Sequence, residues 1–353
     1  MWNKGFSIDE IFKGRKNNLD IIRFFAATLV IFSHAFPLTL GNDMNEPFVK
    51  LTNGQSTFGS IAVYIFFIVS GFLITMSYDK SKNTLTYLKA RILRIFPGLI
   101  VVILLTVFVL GPLTTSYSLN AYFNNPETYN YFKNITLVYW GDILPGVFEN
   151  NIHGGINGSL WTLYFEFIFY LVVAMLGVLR LLKKRIVLPL YLITLVALFL
   201  QYFPIDVRFI YLFAFYAAGM LVYLFRDKIY INNYSAIISL VSLIVLTYFD
   251  YFQIAFSVFG TYLIMYLAFS YTNVFHNFSK YGDFSYGLYI YAFPIQQLIT
   301  MTFNNEISPY FNFIIALPLT LIFAIFSWHI IEKPAIKLKN IKLTSTLFQT
   351  RGN

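Results

Sequence analysis

Ten stretches of the chain are apolar over lengths near the 20 residues or so that a helix needs to cross a bilayer. They are 19–40, 60–78, 92–112, 159–179, 186–202, 208–225, 235–250, 254–271, 285–303 and 309–331, with polar segments between them. The pattern predicts an all-α fold, a polytopic membrane helical bundle of about ten transmembrane helices. Lysine and arginine fix the expected orientation. With the N-terminus inside, 21 of the 25 basic residues fall in internal segments, Lys50, Lys133 and Arg208 fall outside, and Arg23 lies within a span. That bias places both termini in the cytoplasm. The longest external segment, 113–158, is too small for a domain of its own, though stretches such as 126–150 suit short interfacial or re-entrant helices. No internal repeat relates the two halves, which weighs against transporter folds built from repeats. A single integral-membrane domain is expected over 1–342, followed by a short cytoplasmic tail at 343–353. Residues 1–18 are charged and no small-residue cleavage site follows the first span, so that span reads as an uncleaved anchor.

Composition sharpens this picture by exclusion. A chain of 353 residues that is 58% hydrophobic and 12% charged is not a soluble domain. With no cysteine, disulfides, thiolate metal sites and a cysteine nucleophile are ruled out. No metal-ligand cluster, Walker motif or dinucleotide fingerprint occurs, so no metal is expected. The net charge of +9 belongs to cytoplasmic loops lying against a lipid bilayer, and no nucleic-acid partner is expected.

Candidate chemistry lies in the polar residues of the spans, where a charge is costly and usually functional. The first span, LDIIRFFAATLVIFSHAFPLTL, holds Arg23 and His34. Eleven residues are close to three helical turns, so both side chains share a stripe about 16 Å long, with small Ala27 between them. A lone polar residue in a span is often structural glue; a stripe of two reads as a lined passage. Arg91 and Arg94, at the inner start of the third span, share a helix face. Such a pair serves either as an interfacial anchor or as a phosphate clamp. Arg23 is expected at similar depth, so the three arginines can converge on an anion entering from the cytosol. In HGGINGSLWTLYFEFIFYL, Ser159, Thr162 and Glu166 share one face after a glycine-rich lead-in. Glu166 is expected about 10 Å below the outer boundary, at the depth of His34. The two then form an acid–base pair, unless Glu166 is a structural carboxylate held by arginine or backbone donors. Ser70 and Gly71 read as close helix packing, His153 as an incidental loop residue, and the Tyr and Gln residues of 284–297 as packing or pore lining.

Taken together, the motifs resemble the acyltransferase family 3 of integral membrane proteins. Arg23 and His34 with ten residues between them, the Arg91–Arg94 pair, SGFLI at 70–74, SLWTLYFE at 159–166, SYGLYIYAFP at 285–294 and EKP at 332–334 occur in family order. The resemblance implies about ten spans in a bacterial plasma membrane. It also implies transfer of an acyl group, most often acetyl, from cytosolic acyl-coenzyme A to a hydroxyl of a cell-surface polysaccharide or lipid-linked glycan. No permanently bound cofactor is implied; acetyl-coenzyme A (acyl-CoA) is the donor. By the same resemblance His34 is the catalytic histidine and the arginines serve the donor. One departure stands out: many relatives have histidine where this chain has Ala292. Some also carry a fused esterase-like domain, for which this chain has no room.

On this view Arg23, Arg91 and Arg94 hold the nucleotide phosphates and the pantetheine arm runs along the Arg23–His34 stripe. His34 takes the acceptor proton with Glu166 beside it. Ser159 and Trp161, together with Trp140, meet the sugar. Direct attack and an acyl-histidine intermediate fit these residues equally. The alternative is a polytopic transporter or flippase of lipid-linked glycans, which shares the spans but gives the arginine pair no purpose.

Overall fold

A computed structural model describes residues 5–12, 17–139, 141–269, 275 and 278–340. Trp140 and the expected tail at 343–353 lie outside the described residues. Each of the ten apolar stretches carries a helix: α1 (Leu19–Leu40), α2 (Phe58–Asp79), α3 (Thr84–Thr114), α4 (Trp161–Val178), α5 (Lys184–Leu200), α6 (Val207–Leu224), α7 (Asn233–Tyr248), α8 (Phe252–Phe269), α9 (Ser285–Thr302) and α10 (Pro309–Lys337). Polar residues start them. Thr57, Asn83 and Asn232 each accept a hydrogen bond from a first-turn N–H, capping α2, α3 and α7. Gly41, at φ 77°, ends α1 in the left-handed conformation that glycine adopts without strain.

Seven of these helices are long and apolar enough to cross a membrane: α1, α2, α3, α4, α6, α8 and α10. The other three fall short for different reasons. α5 and α7 have 17 and 16 residues. α9 has 18, but it is rich in Tyr and Gln and is buried along almost its whole length. Its polar groups find protein partners: Tyr286 donates to the Ile95 carbonyl at 2.7 Å, and Gln296 to the Ile31 carbonyl at 2.8 Å and to Asn312 at 3.0 Å. A helix so satisfied belongs in the middle of a bundle, where backbone and side-chain polar groups escape lipid. α1, α3 and α10 pack around it, and α2 closes on α1 from the other side. Leucine, isoleucine and phenylalanine side chains left outward on α7 and α10, such as Ile237, Ile244, Ile314 and Phe326, form an apolar exterior suited to acyl chains.

The closest helix crossing is α2 on α6. A Cβ at Gly71 would run into the carbonyl oxygen of Tyr216, and one at Gly219 into that of Ile68. Two glycines thus let two backbones touch. Gly219→Ala is expected to destabilise the protein by about 1–3 kcal/mol, the range for overpacking a tight contact, read as a lowered melting temperature in detergent.

At one end of the bundle the N-terminal segment pairs with the α6–α7 connection: Phe6–Ser7 lies antiparallel to Tyr230–Ile231, and Arg226 donates to Asp9 at 2.9 Å. This end also holds the start of α3, the start of α9 and the end of α10, and we call it the basic end. At the opposite end the segment between α3 and α4 folds into short helical turns against the bundle, tied by Tyr122 donating to the Val107 carbonyl at 2.9 Å and by a Thr115–Val147 bridge.

Candidate active site

Arg23 on α1 and Arg94 on α3 meet at the basic end, because one acid joins them. Each donates to Oδ2 of Asp283 at 2.7 Å, and Ser285, in the first turn of α9, donates to its Oδ1 at 2.6 Å. Burial alone would raise the Asp283 carboxyl, but Arg23 and Arg94 outweigh it and hold the group well below the usual carboxylate range. Arg94 also reaches Glu332 at 3.3 Å. Glu332 lies in a widened turn, Trp328–Glu332. Pro334 follows that turn and has no N–H to offer the helix before it. The guanidinium of Arg94 is sandwiched by Tyr286 and Trp328, with ring centroids 5.6 and 5.8 Å away.

Arg91 differs from its two neighbours. Among the described residues it forms no ion pair, and its Nε is buried without a hydrogen-bond partner. It rests over Tyr87 and Tyr170, 5.9 and 5.8 Å from the ring centroids. Tyr87 in turn donates to the Tyr170 carbonyl at 3.0 Å, and the Tyr170 hydroxyl donates to Glu166. Arg91, Tyr170 and Glu166 face a cavity of about 630 Å³. Arg23, Arg91, Arg94 and Lys80 line its basic end; Glu166, Ser70, Thr162 and Tyr289 line its deeper part. The Ser70 hydroxyl is buried there without a partner, and Thr162 and Tyr289 share a hydrogen bond of 2.6 Å.

His34 is not part of that cavity. It packs edge-on against Phe293, 5.3 Å between ring centroids, and its Nδ1 is buried without a partner. Phe293 lies one turn beyond Tyr289 on α9; Tyr289 lines the cavity, and Phe293 and His34 do not. The cavity that Arg23 lines does not include His34, so the expected continuous passage between the two is not seen.

The expected pairing of Glu166 with His34 is not what the structure shows; no hydrogen bond joins them. The reason is the segment before α4. Asn151 donates to Gln297, whereas Asn157 donates to the Ile290 carbonyl seven residues lower on α9. The chain therefore descends about 10 Å into the bundle, at 1.5 Å per helical residue, before α4 begins at Trp161. Glu166 is carried below His34 and onto the arginine side, where Tyr170 takes its carboxylate. Ser159 is buried, with its hydroxyl unpartnered. Trp161 faces elsewhere, into a smaller cavity of about 240 Å³ with Tyr139, Tyr164 and Arg208.

Four side chains of this site escaped the sequence reasoning as partners: Asp283, Tyr170, Phe293 and His153. His153 is half-buried, its ring 5.7 Å from that of Phe293, so two imidazoles meet one phenyl group.

Fold and site together define a multi-pass helical bundle with an arginine-lined cavity at one end and a buried imidazole outside it. Comparison with known proteins gives this class its family. The model described as an acyltransferase domain, that of the acyltransferase 3 family, matches residues 16–331, and the chain belongs to this family of enzymes. It is 28% identical over 341 residues to a protein named "O-acetyl transferase" from Shigella phage Sf6, covering 94% of this chain and 99% of that one. It is also 36% identical over 173 residues to "Nodulation protein 10" of Rhizobium leguminosarum bv. viciae, covering 46% of this chain and 44% of that one. No solved structure matches.

Proposed function

We propose that this acyltransferase moves an acetyl group from cytosolic acetyl-coenzyme A to a hydroxyl of a cell-surface polysaccharide or lipid-linked glycan, in a bacterial plasma membrane that it crosses about ten times with both termini in the cytoplasm. The observation that carries the reading is the 630 Å³ cavity, which holds three arginines at the basic end and is lined deeper by Tyr289, one turn along α9 from the Phe293 on which His34 packs. The name of the phage relative supports acetyl as the group moved. The basic end faces the cytosol by the distribution of lysine and arginine.

Arg91 is the side chain we assign to a phosphate of the donor, because Arg23 and Arg94 already have carboxylate partners. The walls formed by Phe66, Phe67, Leu73 and Ile74 suit a thin pantetheine arm, with Ser70 and Thr162 able to hydrogen-bond its amides. The thioester passes Phe293 to reach His34, which takes the proton of the attacking hydroxyl as general base. Glu166 belongs with the donor site on this geometry, orienting Tyr170 under Arg91. Ser159 and Trp161 remain our candidates for the acceptor.

The test is mass spectrometry of surface glycans from cells with and without the gene. Loss of an increment of about 42 Da, one O-acetyl group replacing a hydroxyl hydrogen, is the expected result; export lost with acetylation retained would instead support a flippase. A second expectation concerns Arg91. Arg91→Ala should raise the KM for acetyl-coenzyme A by about 10- to 100-fold, the loss of one charge-assisted bond of about 1.5–3 kcal/mol. Its kcat should change little, since the contact is the same in ground and transition states.

A further inference from the structure

His153 stands at the end of the molecule opposite the arginines, against the same ring as His34. Its imidazole and that of His34 both meet Phe293 edge-on. The segment that carries His153 is fixed in place. The Gln297 amide donates to the carbonyls of His153 and Gly155, and Asp142 accepts the Asn157 N–H. A side chain at residue 155 would collide with both the Asp142 carboxylate and the His153 ring, and one at 158 would collide with Phe293. The two glycines therefore clear the space on which His153, Asp142 and Phe293 converge.

The hydrogen bonding also settles where His153 carries its proton. Gly155 N–H donates to Nδ1 at 3.1 Å. Nδ1 is then the accepting nitrogen, and in the neutral ring the proton sits on Nε2. A ring in that state offers an N–H at Nε2 and has no free lone pair with which to act as a base. We propose that His153 is the oxyanion donor of the transfer: its Nε2–H donates to the thioester carbonyl oxygen as that oxygen takes up negative charge. The proposal rests on the acyl transfer argued above. In the step, the acceptor oxygen forms a bond to the carbonyl carbon and its proton passes to His34. The carbonyl electrons move to oxygen, where His153 stabilises them, and return as the carbon–sulfur bond breaks. The thiolate leaves toward the arginine cavity. His153 gains and loses no proton, so one imidazole serves as base and the other as donor.

The experiment uses the full chain in lipid nanodiscs, with acetyl-coenzyme A and surface polysaccharide from cells lacking the gene. Released coenzyme A thiol and acetyl on the polysaccharide are both measured. His153→Ala is expected to lower kcat by about 100-fold, the usual loss for one oxyanion donor, and to leave the KM for acetyl-coenzyme A within about twofold. His153→Gln, whose amide N–H can occupy the place of Nε2–H, is expected to recover about tenfold of that loss. Should His153→Ala lose the fold, His153→Phe replaces it in the comparison, since it keeps a ring against Phe293 and lacks the donor. A kcat for His153→Ala or His153→Phe near that of the wild type overturns the proposal. So does a His153→Gln protein no more active than these when all melt alike. Absence of transfer by the wild-type protein itself would instead reject the acetyl-coenzyme A reaction.

Discussion

His34→Ala is expected to lower acyl transfer by about 10³-fold, within the range general-base catalysis contributes, while leaving donor binding intact. The two effects separate because His34 lies outside the cavity that the donor is proposed to fill, beyond Phe293. The fold should survive. His34 loses no hydrogen bond at Nδ1, which has no partner, and its edge contact with Phe293 is worth about 0.5–1.5 kcal/mol beyond its buried area. Acetyl-coenzyme A binding, measured by calorimetry on the variant in nanodiscs, should match the wild type as transfer falls. Transfer within about tenfold of the wild type at equal protein level would remove His34 from the base role. The partnerless Nδ1 adds a detail. A catalytic imidazole is normally oriented by a second group, and no carboxylate performs that task here among the described residues. The ring is held by packing, with Phe293 as its support. A thioester that displaces the Phe293 ring would loosen His34 as it arrives.

Much of the architecture could be read from hydrophobic runs alone, because lipid permits little besides helices and the runs are bounded by caps such as Thr57 and Asn83. The three arginines could be brought together from helical spacing and depth. Asp283 could not. It is 260 residues from Arg23 and 189 from Arg94, so no local pattern links them. Its one sequence signal is an acid two residues before the serine that opens α9. Counting depth from a helix start at the bilayer boundary puts Glu166 about 10 Å too high. The Asn and Gly residues of 150–158 carried the correcting information: Asn151 and Asn157 can satisfy themselves on a polar helix, and α9 is polar enough to receive them. His153 looked incidental for the same reason, since a loop that folds inward presents its side chains to the site and not to solvent.

The same unforeseen acid carries the second large expectation. Asp283→Ala should destabilise the protein by about 3 kcal/mol, the lower end of the cost of breaking a buried ion pair. The lower end applies because the Arg23, Arg94 and Asp283 side chains keep 20%, 15% and 18% of their surface exposed. Removing the carboxylate leaves two guanidinium groups facing each other across α1 and α3, with only Arg94 still paired, to Glu332. Asp283→Asn should fall between, since it keeps an acceptor for Ser285 but no charge. The pH dependence has a definite sign. Because the folded-state value lies below the unfolded one, the stabilisation is complete above the ordinary carboxylate range and is lost only as pH falls toward the lowered value. The wild-type and Asp283→Ala melting temperatures should therefore differ by a constant amount from pH 8 to pH 6 and converge on deep acidification. An anion should substitute for the missing carboxylate: inorganic pyrophosphate is expected to raise the melting temperature of Asp283→Ala more than that of the wild type, because Arg23 is then free to bind it and Arg94 keeps only its contact with Glu332. Equal melting of the two proteins near neutral pH would mean that Asp283 does not hold α1, α3 and α9 together. Equal response to pyrophosphate would mean that it does not occupy the place of a phosphate.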